Sequence, residues 1–210
     1  MKGILMKPWK AQAIHESSPE TEWQTRRIIK PQPETGWVIT PTMVASTVAV
    51  IRLNKDGRPI ERRNNVKCPY TVGEHVYIKE KFHIGIYSPG LSTYVRFTDG
   101  MTIECTVPNN ANVMLPGKHS SLHLPAWAAR TVIEIKDIRA QRVQDISEDD
   151  AKAEGVEKCE GLRIYPDTKE YEEVCDYRMG FTFLWDSIHG EGAWERNDWV
   201  WIYLFRRVER

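Results

Sequence analysis

Apolar positions along the chain follow two periods, and the shorter, strand-like one prevails. Residues 2–6 (KGILM) read as an opening strand. After Pro8, WKAQAIHE reads as a short helix with proline at its first turn. SSPETE (17–22) breaks it, and TRRIIK (25–30) reads as a strand ending before Pro31. STVAVIRL (46–53) and RPIERRN (58–64) flank Asp56-Gly57, a hairpin signal, and form a basic arm rather than a core element. EHVYIKEKFHI (74–84) alternates as one strand with a local irregularity. STYVRFT and MTIECTV flank a second hairpin turn at Asp99-Gly100, and residues 108–127 read as loop.

The second half continues the pattern. Residues 129–146 form a long, twisted or bulged strand. SEDDAKAEGV follows as a short helix, with Ser147 as its cap, acids in its first turn and Gly155 at its end. Residues 170–188 carry the best helical stripe, Phe181, Leu184, Trp185 and Ile188, with Gly180 as its weak point. DWVWIYLFRRV is apolar on both alternating faces, which predicts a central, buried strand. Together these elements predict an α+β mixed β-barrel with peripheral helices and inserted β-hairpins.

Composition narrows the function classes. The 210 residues carry 29 basic and 29 acidic side chains, so bulk polycation behaviour is excluded, while a local basic stripe remains open. An apolar fraction of 41% and eight tryptophans fit a folded chain with a real core. Cys68, Cys105, Cys159 and Cys175 form no C-x-x-C pair and no zinc spacing. With no signal peptide and no long apolar run, the expected location is the cytoplasm, with reduced thiols and no membrane partner. No metal or cofactor is expected: His119 and His123 have zinc-like spacing, but their setting is a loop.

Candidate chemistry begins at Thr25-Arg26-Arg27. Strand neighbours face opposite ways, so Arg26 shares its side with Ile28, while Arg27 shares its side with Thr25 and Ile29. A guanidinium fork suits phosphate or carboxylate, and a surface arginine paired with a nearby glutamate is the plainer role. Glu154 ends the short helix where the dipole disfavours a carboxylate, which marks either a surface group or a working acid. Lys79, on a strand, is a phosphate candidate or a solvated lysine. A small hydrolase, a nucleic-acid-binding module and a structural or host-interaction protein all remain open.

KGILMKP, QTRRIIKPQP, GEHVYIKEKF, HLPAWAAR, DISEDDAKAEGV and LWDSIHG…DWVWIYLF occur in this order. In this the chain resembles phage and prophage proteins with an ASCH domain, of the PUA-like superfamily. The resemblance implies a single PUA-like domain over 1–210, with insertions near 35–66 and 84–118. It implies a barrel cleft for RNA, a nucleotide or a nucleoside, in the host cytoplasm if the protein is phage-encoded. One branch of the family is an acetylcytidine amidohydrolase, whose Thr, Arg and Glu positions fall on Thr25, Arg27 and Glu154. Its lysine position falls on Glu22 and its first threonine on Trp23, reversing the charge where a proton shuttle would stand. The expectation is therefore an RNA- or nucleotide-binding module, with an amidohydrolase acting through Thr25 and Glu154 as the alternative. Arg26, Arg27, Lys79, Trp127 and Arg130 are the binding candidates at the cleft, and Arg62 and Arg63 extend the phosphate track.

Overall fold

In the computed structural model, residues 1–34, 37–40, 47–88, 92–107, 114–164 and 171–209 are described. For 63–65, 87–88, 92, 160–164 and 171–175 this extends to the backbone alone. The chain opens with β1 (Lys2–Leu5), α1 (Pro8–Glu16), β2 (Trp23–Ile28), β3 (Trp37–Ile39), β4 (Thr47–Leu53) and β5 (Pro59–Lys67). It continues through β6 (His75–Lys79), β7 (Phe82–Ser88), β8 (Ser92–Phe97), β9 (Thr102–Cys105), β10 (Gly117–His119) and β11 (Val132–Arg142). It closes with α2 (Glu148–Ala153), β12 (Cys159–Ile164), β13 (Tyr171–Asp176), α3 (Tyr177–His189) and β14 (Trp199–Val208). Strand outweighs helix among the described residues, so the fold is α+β. No helix is long and apolar enough to cross a membrane.

The chain divides into two compact units, and both are assembled from separated segments. The first comprises Met1–Thr21, Gly73–Ile135 and Arg206–Arg210. Here β1 runs parallel to β6, and β6 pairs antiparallel with the start of β11. A four-stranded antiparallel sheet, in the order β10-β7-β8-β9, adds Phe82, Ile84, Val95 and Phe97 to a core with Tyr77, Leu124, Ala128 and Val132. The stretch 74–84, expected as one strand, is two. It breaks at Glu80 and Lys81, where Glu80 turns inward, 1% exposed, to meet Arg130.

Arg130 organises this unit. Its Nε and Nη2 donate to the two Glu80 carboxylate oxygens at 2.9 and 2.6 Å, and its Nη1 donates to Asp99 at 2.5 Å. The guanidinium also lies 4.4 Å from the Phe97 ring centroid. Burial raises the Glu80 pKa, and Arg130 only partly offsets it. For Asp99, burial also pushes upward, but hydrogen bonds from Arg130 and the Met101 N–H outweigh it and hold the carboxyl below its ordinary value. The β8–β9 turn, with Gly100 at φ 87°, is thereby pinned through Asp99 to Arg130, two residues before β11.

The second unit comprises Glu22–Val72 and Lys136–Phe205. Here β14 lies between β11 and β2, which explains why its sequence is apolar on both faces. The pair β2–β14 is antiparallel, with Thr25 opposite Tyr203, Arg26 opposite Ile202 and Arg27 opposite Trp201. Val200 and Ile202 pack with Phe181 and Trp185 of α3, Ala151 of α2, and Val143 and Ile146. The basic hairpin is less of a free arm than expected. β4 buries Val48, Ala49 and Val50, and with β3, which buries Trp37 and Ile39, it makes a three-stranded sheet, β3-β4-β5.

The helix expected over 170–188 begins only at Tyr177. Tyr171–Asp176 instead pairs as β13 with β12, because its Tyr-Glu-Glu-Val-Cys-Asp pattern has no helical apolar stripe. Asp176 then caps the helix, accepting from the Met179 N–H at 2.7 Å. Gly180 fits for a local reason: a Cβ there would collide with the Glu157 carbonyl.

Replacing Arg130 with Met strands two carboxylates. Urea unfolding should show a loss of about 3–5 kcal/mol, and Glu80→Gln in the same chain should recover part of it. A double variant no more stable than the single would remove the pair as the cause.

Candidate functional site

Six of the sequence candidates, Thr25, Arg26, Arg27, Arg62, Arg63 and Glu154, belong to the second unit. Lys79, Trp127 and Arg130 belong to the first. On β2 the alternation holds. Gln24 and Arg26 face the helices, and Thr25 and Arg27 face the other way, beside their cross-strand partners Tyr203 and Trp201.

On the helix side, the Arg26 side chain has no solvent exposure. Its Nη2 donates to Asp150 at 2.9 Å and its Nη1 to Glu154 at 3.1 Å, and its guanidinium lies 5.6 Å from the Phe181 ring centroid. Gln24 bridges the group, donating to the second Asp150 oxygen at 2.6 Å. Arg139 reaches that same oxygen at 3.3 Å. Local sequence explains the placement of both carboxylates. Ser147 caps α2 by accepting from the Asp150 N–H at 3.1 Å, and Gly155, at φ 81°, ends it just after Glu154. The carboxylate at the unfavourable helix end is thus held by Arg26 and is 3% exposed.

On the opposite side, Thr25 is buried and Arg27 half-buried. Tyr203 stands across from Thr25, its hydroxyl 3.5 Å from the Cys68 sulfur, and Tyr70 meets the Tyr203 ring edge-on at 5.3 Å. Burial pushes the Tyr203 hydroxyl far above the ordinary tyrosine range, so it stays protonated as a donor. Burial also lowers the Arg27 pKa, and the negative field of Glu154 opposes this without cancelling it. Arginine remains charged in any case. The result is a cation in a poorly hydrated, aromatic setting.

His189, at the end of α3, sits 4.2 Å from the Trp185 ring centroid. Burial lowers its pKa first, then the positive charges of Arg27, Arg196 and Lys30, with Asp198 opposing them. Beyond β2, Gln32 clamps the turn. Its Nε2 donates to the Ile29 and Trp199 carbonyls, both at 2.8 Å, and its Oε1 accepts from the Trp199 N–H at 2.9 Å. That turn borders an open groove of about 440 Å³, which Trp37, Val50, Arg62 and Val66 complete. A second groove, of about 560 Å³, includes Ile51 and Ile60 and also reaches Arg62.

The remaining candidates have quieter surroundings. Arg62 is exposed on β5, while the Arg63 side chain lies outside the described residues. Lys79 donates to the Leu122 carbonyl at 3.1 Å and lies 5.8 Å from the Tyr77 ring centroid. Trp127 packs half-buried against the core of the first unit. Arg130 has its fork taken by Glu80 and Asp99, which makes it a structural group. His119 bonds the Leu115 carbonyl at 2.8 Å and stacks on Phe82, and no metal-holding cluster occurs among the described residues. Sequence reasoning missed Gln24, Asp150, Tyr70, Tyr203, Gln32 and His189. Asp150 read as an ordinary first-turn acid, and Gln32 gave only its position between two prolines.

Two outcomes follow. Arg26→Met leaves Asp150 and Glu154 uncompensated and should cost about 3–5 kcal/mol in urea unfolding, with Arg26→Lys restoring little because it cannot bridge both carboxylates. His189 titrates below the unfolded value of about 6.5, so the unfolded chain takes up the proton first and stability falls as pH drops through that value. His189→Gln should reduce the fall in melting temperature between about pH 7.5 and about pH 5.5, and an unchanged fall would assign the effect elsewhere.

The chain matches no protein-family model, no curated protein and no solved structure.

Proposed function

We propose that the protein is a nucleic-acid-binding module of the PUA-like β-barrel kind, taking single-stranded RNA or a nucleotide on the Thr25–Arg27 face of its second unit. The observation that carries this reading is Arg27. Its half-buried charge sits beside Thr25, Tyr70 and Tyr203, and burial outweighs the field of the nearest carboxylate. Such a group gains by meeting an anion, and the rings beside it suit the flat faces of bases. Arg26 meets its two carboxylates on the opposite face of β2 and takes no part in this reading. Arg62, exposed on β5, offers a further phosphate contact. The resemblance of its motif order to that of ASCH-domain proteins fits this reading, and the setting it implies is the host cytoplasm if the protein is phage-encoded.

The hydrolase alternative, with Thr25 and Glu154 acting on a modified cytidine, has less support. The Glu154 carboxylate bonds Arg26 on the face of β2 opposite Thr25, and by the resemblance Glu22 stands where the amidohydrolase branch carries lysine.

Fluorescence anisotropy with a labelled single-stranded RNA pool tests the binding reading. Affinity should fall steeply between about 50 and about 200 mM salt, and Arg27→Gln and Arg62→Ala should each weaken binding and lower the salt slope by about 1. Absence of salt-dependent binding to the pool would sink it.

A further inference from the structure

The four-stranded sheet of the first unit turns one face to the core and the other outward. Phe82, Ile84, Val95 and Phe97 point inward, so strand alternation sends their neighbours the opposite way. The register then sets Lys118 of β10, His83 of β7, Arg96 of β8 and Thr102 of β9 side by side in one row across the sheet. Lys118, Arg96 and Thr102 are exposed, and His83 is half-buried. From Lys118 to Arg96 the row crosses two strand spacings, about 10 Å.

Arg96 is oriented from behind. Its Nε donates to the Thr102 hydroxyl at 3.3 Å, and that hydroxyl donates onward to the Gly100 carbonyl at 3.4 Å. Its guanidinium lies 5.6 Å from the Tyr94 ring centroid. The Tyr94 ring is itself laid down on the sheet: it crosses Gly85, where a Cβ would collide with it, and stacks on His83 at 6.3 Å. The two terminal nitrogens of Arg96 make no hydrogen bond among the described residues, and neither Arg96 nor Lys118 meets a carboxylate there. Arg26, Arg130, Arg139, Arg196 and Arg206 each do. Glu104 is on the same face, opposite Tyr94, and forms no ion pair with Arg96. A fixed guanidinium with its outer edge unbonded fits the paired oxygens of a phosphate or a carboxylate.

We propose that this outer face binds the sugar-phosphate backbone of a single strand, with the Arg96 fork on one phosphate, Lys118 on another and His83 between them. In its choice of partner this rests on the RNA-binding reading, and it adds a second surface, in the first unit, that reads no base. A nucleic-acid strand carries a charge on every residue, about 3.4 Å apart along the axis of a helix, so it meets both cations in any register. An acidic peptide would need carboxylates at two matched positions. Tyr94 is occupied in holding Arg96, so binding here follows charge and not base identity. The His83 Nδ1 is buried without a hydrogen-bond partner, which leaves Nε2 as the ring nitrogen for the strand.

Anisotropy with two labelled strands of equal length, oligo-rU and an abasic ribose-phosphate oligomer, tests this on Arg27→Gln protein, in which the other face is weakened. Both strands should bind equally. Adding Arg96→Gln with Lys118→Gln should lower affinity about tenfold and the salt slope by about 1.4, from about 0.7 for each charge on a single strand. Arg96→Lys should weaken binding with the slope unchanged, because it keeps the charge and loses the fork. Parental affinity and slope in Arg96→Gln/Lys118→Gln protein overturn the surface and leave the Arg27 reading standing. Loss of binding in that protein, with none in Arg27→Gln, upholds the surface and overturns the Arg27 reading. No binding of either strand by the parent overturns both. Displacement of the abasic strand by oligo-glutamate of equal charge and concentration makes an acidic protein the occupant and overturns the proposal. Should the doubly substituted protein fail to fold by circular dichroism, Arg96→Lys decides, and parental affinity there overturns the surface.

Discussion

The guanidinium of Arg26, wholly out of water, dictates how the second unit is put together. A charge in that position needs partners, and the chain supplies them to its two terminal nitrogens from one short helix and one neighbouring side chain. α2 must start at Ser147 and stop at Gly155 for Asp150 and Glu154 to arrive together. β2 must hold its register against β14 for Arg26 to point at them and for Thr25 and Arg27 to point away. A slip of one residue would exchange the two arginines and turn Arg27, in place of Arg26, toward Asp150 and Glu154. The opposite orientations within the Arg-Arg doublet are thus a consequence of strand geometry enforced by an ion pair.

The first unit solves a related problem with the same parts. Arg130 also lies between two carboxylates and over an aromatic ring, in its case Glu80, Asp99 and Phe97. Its partners come from a strand break and a hairpin turn, so it fixes loops, while Arg26 fixes a helix. Its fork is the more completely used of the two. Arg130 donates through Nε as well as both terminal nitrogens, whereas the Arg26 Nε is buried without a hydrogen-bond partner among the described residues. Triads of this kind add little net stability compared with apolar packing, but they punish misplacement heavily, which is how they specify one arrangement.

Local patterns were legible in the sequence wherever the cause was local. The Ser147 cap, the glycine ends and turns, the alternation on β2 and the two-sided apolar character of β14 all follow from period and capping rules. The opposite fates of Arg26 and Arg27 were legible too, but which arginine met Glu154 was not, because that contact spans 128 positions of chain. The start of α3 was misread for a similar reason: Tyr171–Asp176 is a strand only because Cys159–Ile164 is there to pair with it. Tyr203 looked like one more core aromatic of β14, and nothing in its neighbourhood announced Cys68 or Tyr70. The turn made by Gln32 depends on two distant backbone groups, which no window of sequence contains.

Because β11 and β14 each pass from one unit into the other, neither unit is a continuous stretch of chain. During synthesis, β2 is made some 170 residues before the strand that will flank it, with Arg26 already carrying its charge. Until β14 leaves the ribosome, that strand has no antiparallel partner on this side, and the helices have no sheet of Val200 and Ile202 to cover. The β2–β14 pairing therefore waits until β14 has been made, and contacts of such long range close slowly. A ribosome stalled short of Trp199 would hold a chain whose basic doublet is open to any nearby polyanion, and the cell's chaperones would meet it in that state.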